Sequence, residues 1–286
     1  MVVIVTGGSG LVGKALQNIC PEYIYLSSLD GDLTDLDQVV KIFDKYNPTY
    51  IIHLAAKVGG VFRNMNENYS MFHDNFTMTK NILECCNRFN VKNGIFCLST
   101  CIYPNKTEYP ITEEMLHNGA PHSSNSGYSY AKRMSEFMVN IHNKKYNSNF
   151  MCIIPSNLYG KDDNFTLGDA HVIPEIIHKC HIATIENRDL ILPGTGNALR
   201  QFLYVEDYVD IIKYVVDNKI TKNIICAHDY EIPIKLLVEL IVNLYGFENK
   251  VIFDGDKSKD GQYKKTSSNA LLKSLYPDVK FTSIVD

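Results

Sequence analysis

Near its N-terminus the chain reads Val2-Val3-Ile4-Val5-Thr6-Gly7-Gly8-Ser9-Gly10-Leu11-Val12-Gly13, and this segment is the strongest indication of its fold. The apolar run predicts a buried strand, and Lys14-Ala15-Leu16 continues beyond the glycines as a helix. Glycine at position 7 allows a tight turn, at position 10 it lets a pyrophosphate approach, and at position 13 it lets helix and strand pack. Because a helix N-terminus presents free N–H groups to an anion, residues 7–13 predict a dinucleotide site. A plain glycine turn is the alternative, which the strand–turn–helix context disfavours.

The rest of the first half alternates short apolar runs with longer amphipathic segments, a pattern typical of βαβ units around a parallel sheet. Right-handed crossovers wind such units into a doubly wound sheet of the Rossmann type. We therefore expect an α/β fold with a dinucleotide-binding domain at 1–160 and a smaller, mainly substrate-binding α/β portion at 161–286. Segments such as 203–226 are expected to return to the sheet. Strands are predicted at 2–5, 23–26, 50–54, 94–98 and 151–154, and helices at 12–19, 35–46, 66–90 and 127–147.

Composition excludes several classes of function. A formal net charge of −4 over 286 residues argues against a nucleic-acid-binding protein. No apolar run reaches the roughly 18 residues that span a bilayer, and the N-terminus lacks the pattern of a signal peptide. The eight cysteines, which include the adjacent pair Cys85-Cys86, are interpreted as buried free thiols. We expect a cytoplasmic protein that binds no membrane, and we predict no metal site.

The ends of the second and third strands indicate which dinucleotide is bound. Ser27-Ser28 follows the second strand where an acidic residue would hold a free ribose 2′-hydroxyl, so NADP is favoured over NAD. Asp32 is expected near the adenine. Small residues in Leu54-Ala55-Ala56 would let the cofactor ribose and phosphates lie against the sheet.

A tyrosine and a lysine near the start of the fourth helix predict a catalytic pair. Tyr128 and Lys132 are four residues apart and share a helix face, and a neighbouring ammonium is expected to lower the tyrosine pKa. Two ordinary surface residues are the alternative. Ser99 follows the strand at 94–98, at the sheet edge where ligands of open α/β folds bind. The three side chains together predict proton transfer at a carbonyl or alcohol oxygen.

Several motifs resemble those of GDP-L-fucose synthases, which are extended short-chain dehydrogenases. They include Ser99–Pro104, Gly127–Arg133, Asp163-Asn164-Phe165 and His171–Pro174. The resemblance implies 3,5-epimerisation of GDP-4-keto-6-deoxy-D-mannose and reduction of its 4-keto group with NADPH. It assigns Cys101 and His171 to epimerisation and Ser99, Tyr128 and Lys132 to reduction. It also adds Pro155, Asn157, Leu158 and His171 to the cofactor site, besides Tyr128 and Lys132, and Lys179, Arg200, Asp260 and Lys265 to the GDP-sugar site.

Three alternatives stay open at this point. A nucleotide-sugar 4,6-dehydratase needs an acidic pair where this chain has Cys101-Ile102, and a 4-epimerase would retain NAD and show no net redox turnover. A non-catalytic dinucleotide-binding protein is the third. The helices at 66–90 and 127–147 carry more Met, Phe, Tyr and Ile than one buried face requires, which predicts a homodimer.

Overall fold

The computed structural model describes residues 1–285, except for the side chains of residues 61 and 62. Its strands are β1 Val3–Thr6, β2 Ile24–Leu26, β3 Tyr50–His53, β4 Asn93–Cys97, β5 Asn149–Pro155, β6 Asn157–Tyr159, β7 Leu190–Leu192, β8 Leu199–Arg200, β9 Phe202–Tyr204, β10 Ile224–Cys226, β11 Ile232–Pro233 and β12 Val251–Phe253. Its helices are α1 Leu11–Ile19, α2 Leu36–Tyr46, α3 Val61–Asn66, α4 Asn68–Arg88, α5 Ser126–Tyr146, α6 Val172–Ile185, α7 Val205–Asp217, α8 Ile234–Tyr245 and α9 Ala270–Leu275.

A six-stranded parallel sheet forms the centre of the molecule, in the order β10-β5-β4-β3-β1-β2. Successive side chains of β1 point to opposite faces, so Ile4 packs with α2, α4 and α5 while Val5 packs with α1 and α7. Helices on both faces bury most of the sheet, which explains why its strands are apolar runs without alternation. The predicted doubly wound Rossmann-type fold is confirmed.

The predicted elements match the structure closely at their centres and differ at their ends. Each of the five predicted strands is a strand of the central sheet. The helix predicted at 66–90 is α4, and a separate helix, α3, precedes it. Asp35 begins α2 by accepting hydrogen bonds from the N–H groups of Asp37 and Gln38, and Asn47 ends it in the left-handed conformation.

The chain after β5 builds a second layer and also returns to the sheet. Three two-stranded sheets pair β6 with β9, β8 with β11, and β7 with β12. A separate apolar core, which includes Ile176, Leu192 and Leu237, joins α6 and α8 to these strands. By contrast, β10 lies at the edge of the central sheet and α7 covers its face. A domain boundary at residue 160 stays a prediction.

Neither a membrane span nor a metal cluster is found in the part of the chain that the structure describes. No helix within residues 1–285 is both long enough and apolar enough to cross a bilayer. The same residues contain no group of three or more His, Cys, Asp or Glu side chains that could hold a metal ion.

Candidate functional site

A cavity of about 1190 Å³ opens at the carboxyl ends of β1, β3, β4 and β5 and is closed by the second layer. This is the edge at which open α/β sheets bind ligands. The sequence-predicted residues that line it are Gly7, Ser9, Gly10, Leu11, Val12, Gly13, Asp32, Leu54, Ala55, Ala56, Ser99, Cys101, Tyr128, Lys132, Pro155, Asn157, Leu158, His171, Lys179, Arg200, Asp260 and Lys265. Gly8 does not line the cavity; its N–H donates to the Leu26 carbonyl at 2.7 Å.

The glycine loop has the close backbone packing that a dinucleotide cradle requires. Gly7 has φ +75°, and a β-carbon there would lie 2.8 Å from the Ala55 nitrogen. A β-carbon on Gly13 would lie 2.5 Å from the Gly7 carbonyl oxygen. Gly10 precedes α1, and no side chain caps that helix. The first N–H groups of α1 therefore remain available to an anion, as the sequence predicted.

Two buried side chains fix the turn after β3 against this loop. The Thr6 hydroxyl lies 2.8 Å from His53 Nδ1 and accepts a hydrogen bond from the Ala55 N–H at 3.3 Å. Burial, assisted by the nearby ammonium of Lys132, lowers the pKa of His53 to about 3. The neutral His53 ring therefore has a structural role, because it holds the Thr6 side chain. Sequence reasoning did not predict this role.

The turn after β2 contains a carboxylate that sequence reasoning overlooked. Ser27 and Ser28 line the cavity, and both the N–H and the hydroxyl of Ser27 donate to Asp30, at 2.8 and 3.1 Å. Asp30 is three residues after Ser27, and the sequence prediction considered only Ser27 and Ser28 at this strand end. Asp32 accepts from the Thr34 N–H at 2.8 Å and so shapes the following loop.

Tyr128 and Lys132 face the same cavity from the first turns of α5. The Lys132 ammonium donates to the Cys97 carbonyl at 2.8 Å and lies 5.9 Å from the centre of the Tyr128 ring. Burial raises the pKa of Tyr128 well above its usual value, and charges on Cys101 and Cys97 would raise it further. The expectation of a lowered Tyr128 pKa is wrong, because burial desolvates the phenolate. Burial also lowers the pKa of Lys132 itself.

Ser99 and Cys101 lie on one short turn at the end of β4. The Ser99 hydroxyl accepts a hydrogen bond from the Cys101 N–H at 3.4 Å and starts the 3₁₀ turn Thr100–Ile102. Arg133, the residue after Lys132, anchors that turn by donating to the Ile102 and Gly119 carbonyls, at 2.9 and 2.7 Å. The structure thus brings the serine, the thiol and the Tyr128–Lys132 pair together.

His171 begins α6 on another wall of the cavity, with 53% of its side chain exposed. Its Nδ1 lies 3.8 Å from a carboxylate oxygen of Asp163, whose side chain is only 6% exposed. Asp163 belongs to the Asp163-Asn164-Phe165 motif. It lies in the long loop between β6 and α6, where no helical or strand periodicity could indicate a role for it.

The far end of the cavity is cationic. Arg200 donates to the carbonyls of Leu199 and Asp260, at 2.7 and 3.2 Å, and burial lowers its pKa to about 10. Burial, followed by the charge of Arg200, lowers the pKa of Lys265 to about 8. Burial, followed by the charges of Lys265 and Arg200, lowers the pKa of His122, a lining residue that sequence reasoning missed. Such a cluster can hold a diphosphate.

The other two residues predicted for the substrate have protein partners. Lys179 forms an ion pair with Glu175 at 2.6 Å. Asp260 accepts from the N–H and the hydroxyl of Thr195, both at 2.7 Å, so its carboxylate holds the Gly194–Gly196 turn in place.

Comparison with known proteins gives full-length matches. The profile of the NAD dependent epimerase/dehydratase family matches residues 3–227. A GDP-L-fucose synthase of Dictyostelium discoideum is 45% identical over 292 residues, which cover 99% of this chain and 91% of that protein. The crystal structure of a GDP-L-fucose synthetase from Naegleria fowleri bound to NADP superposes with a TM-score of 0.91 at 42% identity, covering 99% of this chain and 89% of that one. A probable GDP-L-fucose synthase of Drosophila melanogaster is 39% identical, over 99% and 93% of the two chains.

Proposed function

The chain belongs to the NAD dependent epimerase/dehydratase family, and on that premise we propose that it carries out the reaction of GDP-L-fucose synthases. GDP-4-keto-6-deoxy-D-mannose would be epimerised at carbons 3 and 5 and then reduced at carbon 4 with NADPH. One observation carries the proposal. A single cavity holds a dinucleotide cradle, a Tyr128–Lys132 pair and the Cys101 thiol.

The residues that face the cradle fit NADP, the dinucleotide bound by the relative from Naegleria fowleri. Residues Gly7–Gly13 would hold its pyrophosphate, and Lys132 would hold the nicotinamide ribose hydroxyls. When bound, NADPH supplies the hydride that reduces carbon 4. Tyr128 carries a protonated phenol because burial raises its pKa, so its O–H donates the proton that the new alcohol oxygen needs. The Ser99 hydroxyl would hydrogen-bond the same oxygen.

Epimerisation needs an acid and a base on opposite faces of the sugar. Protons beside the 4-keto group are acidic, and a thiol and an imidazole both titrate near neutral pH. Cys101 and His171 line the cavity from different walls, on the turn after β4 and at the start of α6. One group would remove the proton and the other would return a proton from the opposite side. Arg200 and Lys265 would bind the diphosphate between sugar and guanosine.

The experiment that tests this proposal measures epimerisation and reduction separately. The purified protein is supplied with GDP-4-keto-6-deoxymannose and NADPH in deuterated water, NADPH oxidation is followed by absorbance, and the product is analysed by mass spectrometry. Tyr128→Phe removes the proton donor, so NADPH oxidation should stop while deuterium still enters at carbons 3 and 5. Cys101→Ser replaces the thiol with a far weaker acid, so deuterium uptake should slow by about 10²–10⁴-fold.

Matched controls make the same chemical changes elsewhere. Tyr130→Phe removes a hydroxyl from the exposed side of the same helix, and Cys20→Ser changes a buried thiol beside α1. Both variants should retain both activities. Normal deuterium uptake by Cys101→Ser would overturn the epimerisation assignment. With GDP-mannose supplied instead, inversion at carbon 4 without net NADPH consumption would indicate a 4-epimerase, and loss of water would indicate a dehydratase. No turnover of either sugar would indicate a non-catalytic protein.

We also propose that the protein is a homodimer that pairs α4 and α5. Large apolar side chains stand on their outer faces: Tyr69 is 81% exposed, Phe137 51% and Ile141 48%. Phe137 and Ile141 are four residues apart and therefore adjacent on α5, and Phe72 stacks on Phe76 along α4. A second copy would cover this stripe in a four-helix bundle.

We place the enzyme in the cytoplasm. All eight cysteines fall within residues 1–285 and are free thiols, which suits a reducing compartment. Expression of a fluorescent fusion, with an assay of each cell fraction, tests this location.

A further inference from the structure

The loop between β6 and α6 contains a buried carboxylate that the proposed chemistry does not use. Asp163 Oδ1 accepts a hydrogen bond from the Asn164 N–H at 2.8 Å. Its Oδ2 is buried and lacks a hydrogen-bond partner among the residues that the structure describes. A buried carboxylate with one oxygen left without a partner is costly unless a cation or a further donor lies nearby.

The group that faces this carboxylate is the His171 ring. Its Nδ1 lies 3.8 Å from Asp163 Oδ1, which is too long for a hydrogen bond and within the range of an ion pair. Both residues line the cavity, but the carboxylate is almost fully buried whereas the ring is half-exposed. Nδ1 is therefore the ring nitrogen that lies toward the carboxylate, and Nε2 would be the nitrogen left for the cavity.

Contacts within and beyond the loop fix this arrangement. The Asn164 side-chain amide donates to Asp169 Oδ2 at 3.1 Å, and Arg63 forms an ion pair with the other Asp169 oxygen at 2.8 Å. The Ala170 N–H donates to the Thr166 carbonyl at 2.9 Å. The two ends of the loop, at Asp163 and His171, are thereby held at a set separation.

We propose that Asp163 is a positioning residue for His171. It would keep the proton of the neutral ring on Nδ1, orient Nε2 toward the sugar and stabilise the imidazolium, in the way that a carboxylate serves the histidine of a catalytic triad. When His171 acts as the acid, its Nε2–H bond breaks and the electron pair of the enolate forms the new C–H bond. The ring returns to neutral with its remaining proton on Nδ1, beside Asp163. The inference rests on the proposed function for the catalytic role of His171.

The first measurement needs no substrate. In protein labelled with ¹⁵N-histidine, at a pH where the ring is neutral, the ¹⁵N shifts of His171 report which nitrogen carries the proton, and His171→Gln assigns the signal. We expect the Nδ1–H tautomer in the unmodified chain. In Asp163→Asn, an amide of the same size, the population should move toward Nε2–H. A carboxylate that only braced the loop would leave the tautomer unchanged.

The second measurement is deuterium exchange at carbons 3 and 5. Asp163→Asn should slow exchange by about 10- to 100-fold, a part of the 10²–10⁴-fold that a positioned acid or base supplies, with KM within about twofold. Asp217→Asn is the control, because it removes an exposed carboxylate that pairs with Lys213 on α7. That control should leave exchange unchanged.

Each outcome supports or overturns the proposed role of Asp163. A dominant Nε2–H tautomer in the unmodified chain, an unchanged tautomer in Asp163→Asn, or undiminished exchange would overturn the role of Asp163. If Asp163→Asn fails to fold, the tautomer of the unmodified chain alone decides. If the unmodified chain exchanges no deuterium, the proposed function fails while the tautomer still tests the Asp163–His171 pairing.

Discussion

Two glycines of the phosphate loop should fail in different ways when each is replaced by alanine. A β-carbon on Gly13 would lie 2.5 Å from the Gly7 carbonyl oxygen and 2.6 Å from the Gly8 backbone. These are backbone atoms that no side-chain rotation can move, so α1 must shift away from the loop. A β-carbon on Gly10 would meet only the Gly7 oxygen, at 3.4 Å, which is ordinary contact.

The expected losses of thermal stability and of NADPH affinity follow from this difference in contacts. Overpacking of this kind costs about 1–3 kcal/mol, so Gly13→Ala should lower the melting temperature by about 2–6 °C for a chain of this size. Gly10→Ala should leave the melting temperature within about 1 °C. Its added methyl group stands where a pyrophosphate would approach the backbone, so NADPH affinity should fall by about tenfold or more.

Differential scanning calorimetry without cofactor and isothermal titration with NADPH measure the two effects separately. The expected result is a destabilised Gly13→Ala protein and a stable Gly10→Ala protein that binds NADPH poorly. Equal melting temperatures for Gly13→Ala and the unmodified chain would refute the packing argument. Full NADPH affinity in Gly10→Ala would show that the cofactor does not approach the loop at that residue.

Three further outcomes are expected. Isothermal titration should show NADPH binding more tightly than NADH, because serines at 27 and 28 leave room for a 2′-phosphate; equal affinities would contradict this. Burial and Arg200 lower the pKa of Lys265 to about 8, so its ammonium is present below that pH and lost above it. A pH profile of kcat/KM for the GDP-sugar should therefore fall as the pH rises through about 8, and Lys265→Arg, which stays charged, should abolish that fall. If the proposed dimer forms through α4 and α5, Phe137→Glu should convert it to a monomer in light scattering, whereas a dimer that persists would place the interface elsewhere.

The fold could be predicted because its signals are local. Each strand of the first half is a short apolar run between turn residues, and each helix has an amphipathic period. The edge strand β10 was harder to assign, since its three residues resemble any short apolar run. It joins the sheet only because α7 packs beside α1 and leads the chain back to β5. That placement depends on tertiary contacts.

Sequence reasoning named residues that line the cavity, but it did not predict the electrostatics of those residues. Spacing placed Tyr128 and Lys132 on one face, yet it could not show that Lys132 donates to the Cys97 carbonyl. Nor could it show that burial raises the pKa of Tyr128. Asp30 was missed for a related reason, because a turn folds it back onto Ser27. Burial and loop geometry are properties of the folded chain, and the spacing of residues along the sequence does not reveal them.

The shared turn after β4 links the two proposed chemistries. Ser99 is assigned to reduction and Cys101 to epimerisation, and one hydrogen bond joins them across the 3₁₀ turn. Burial raises the pKa of Tyr128, and a negative charge on Cys101 would raise it further. Because Ser99 and Cys101 share one turn, a change that displaces this turn would disturb both proposed chemistries.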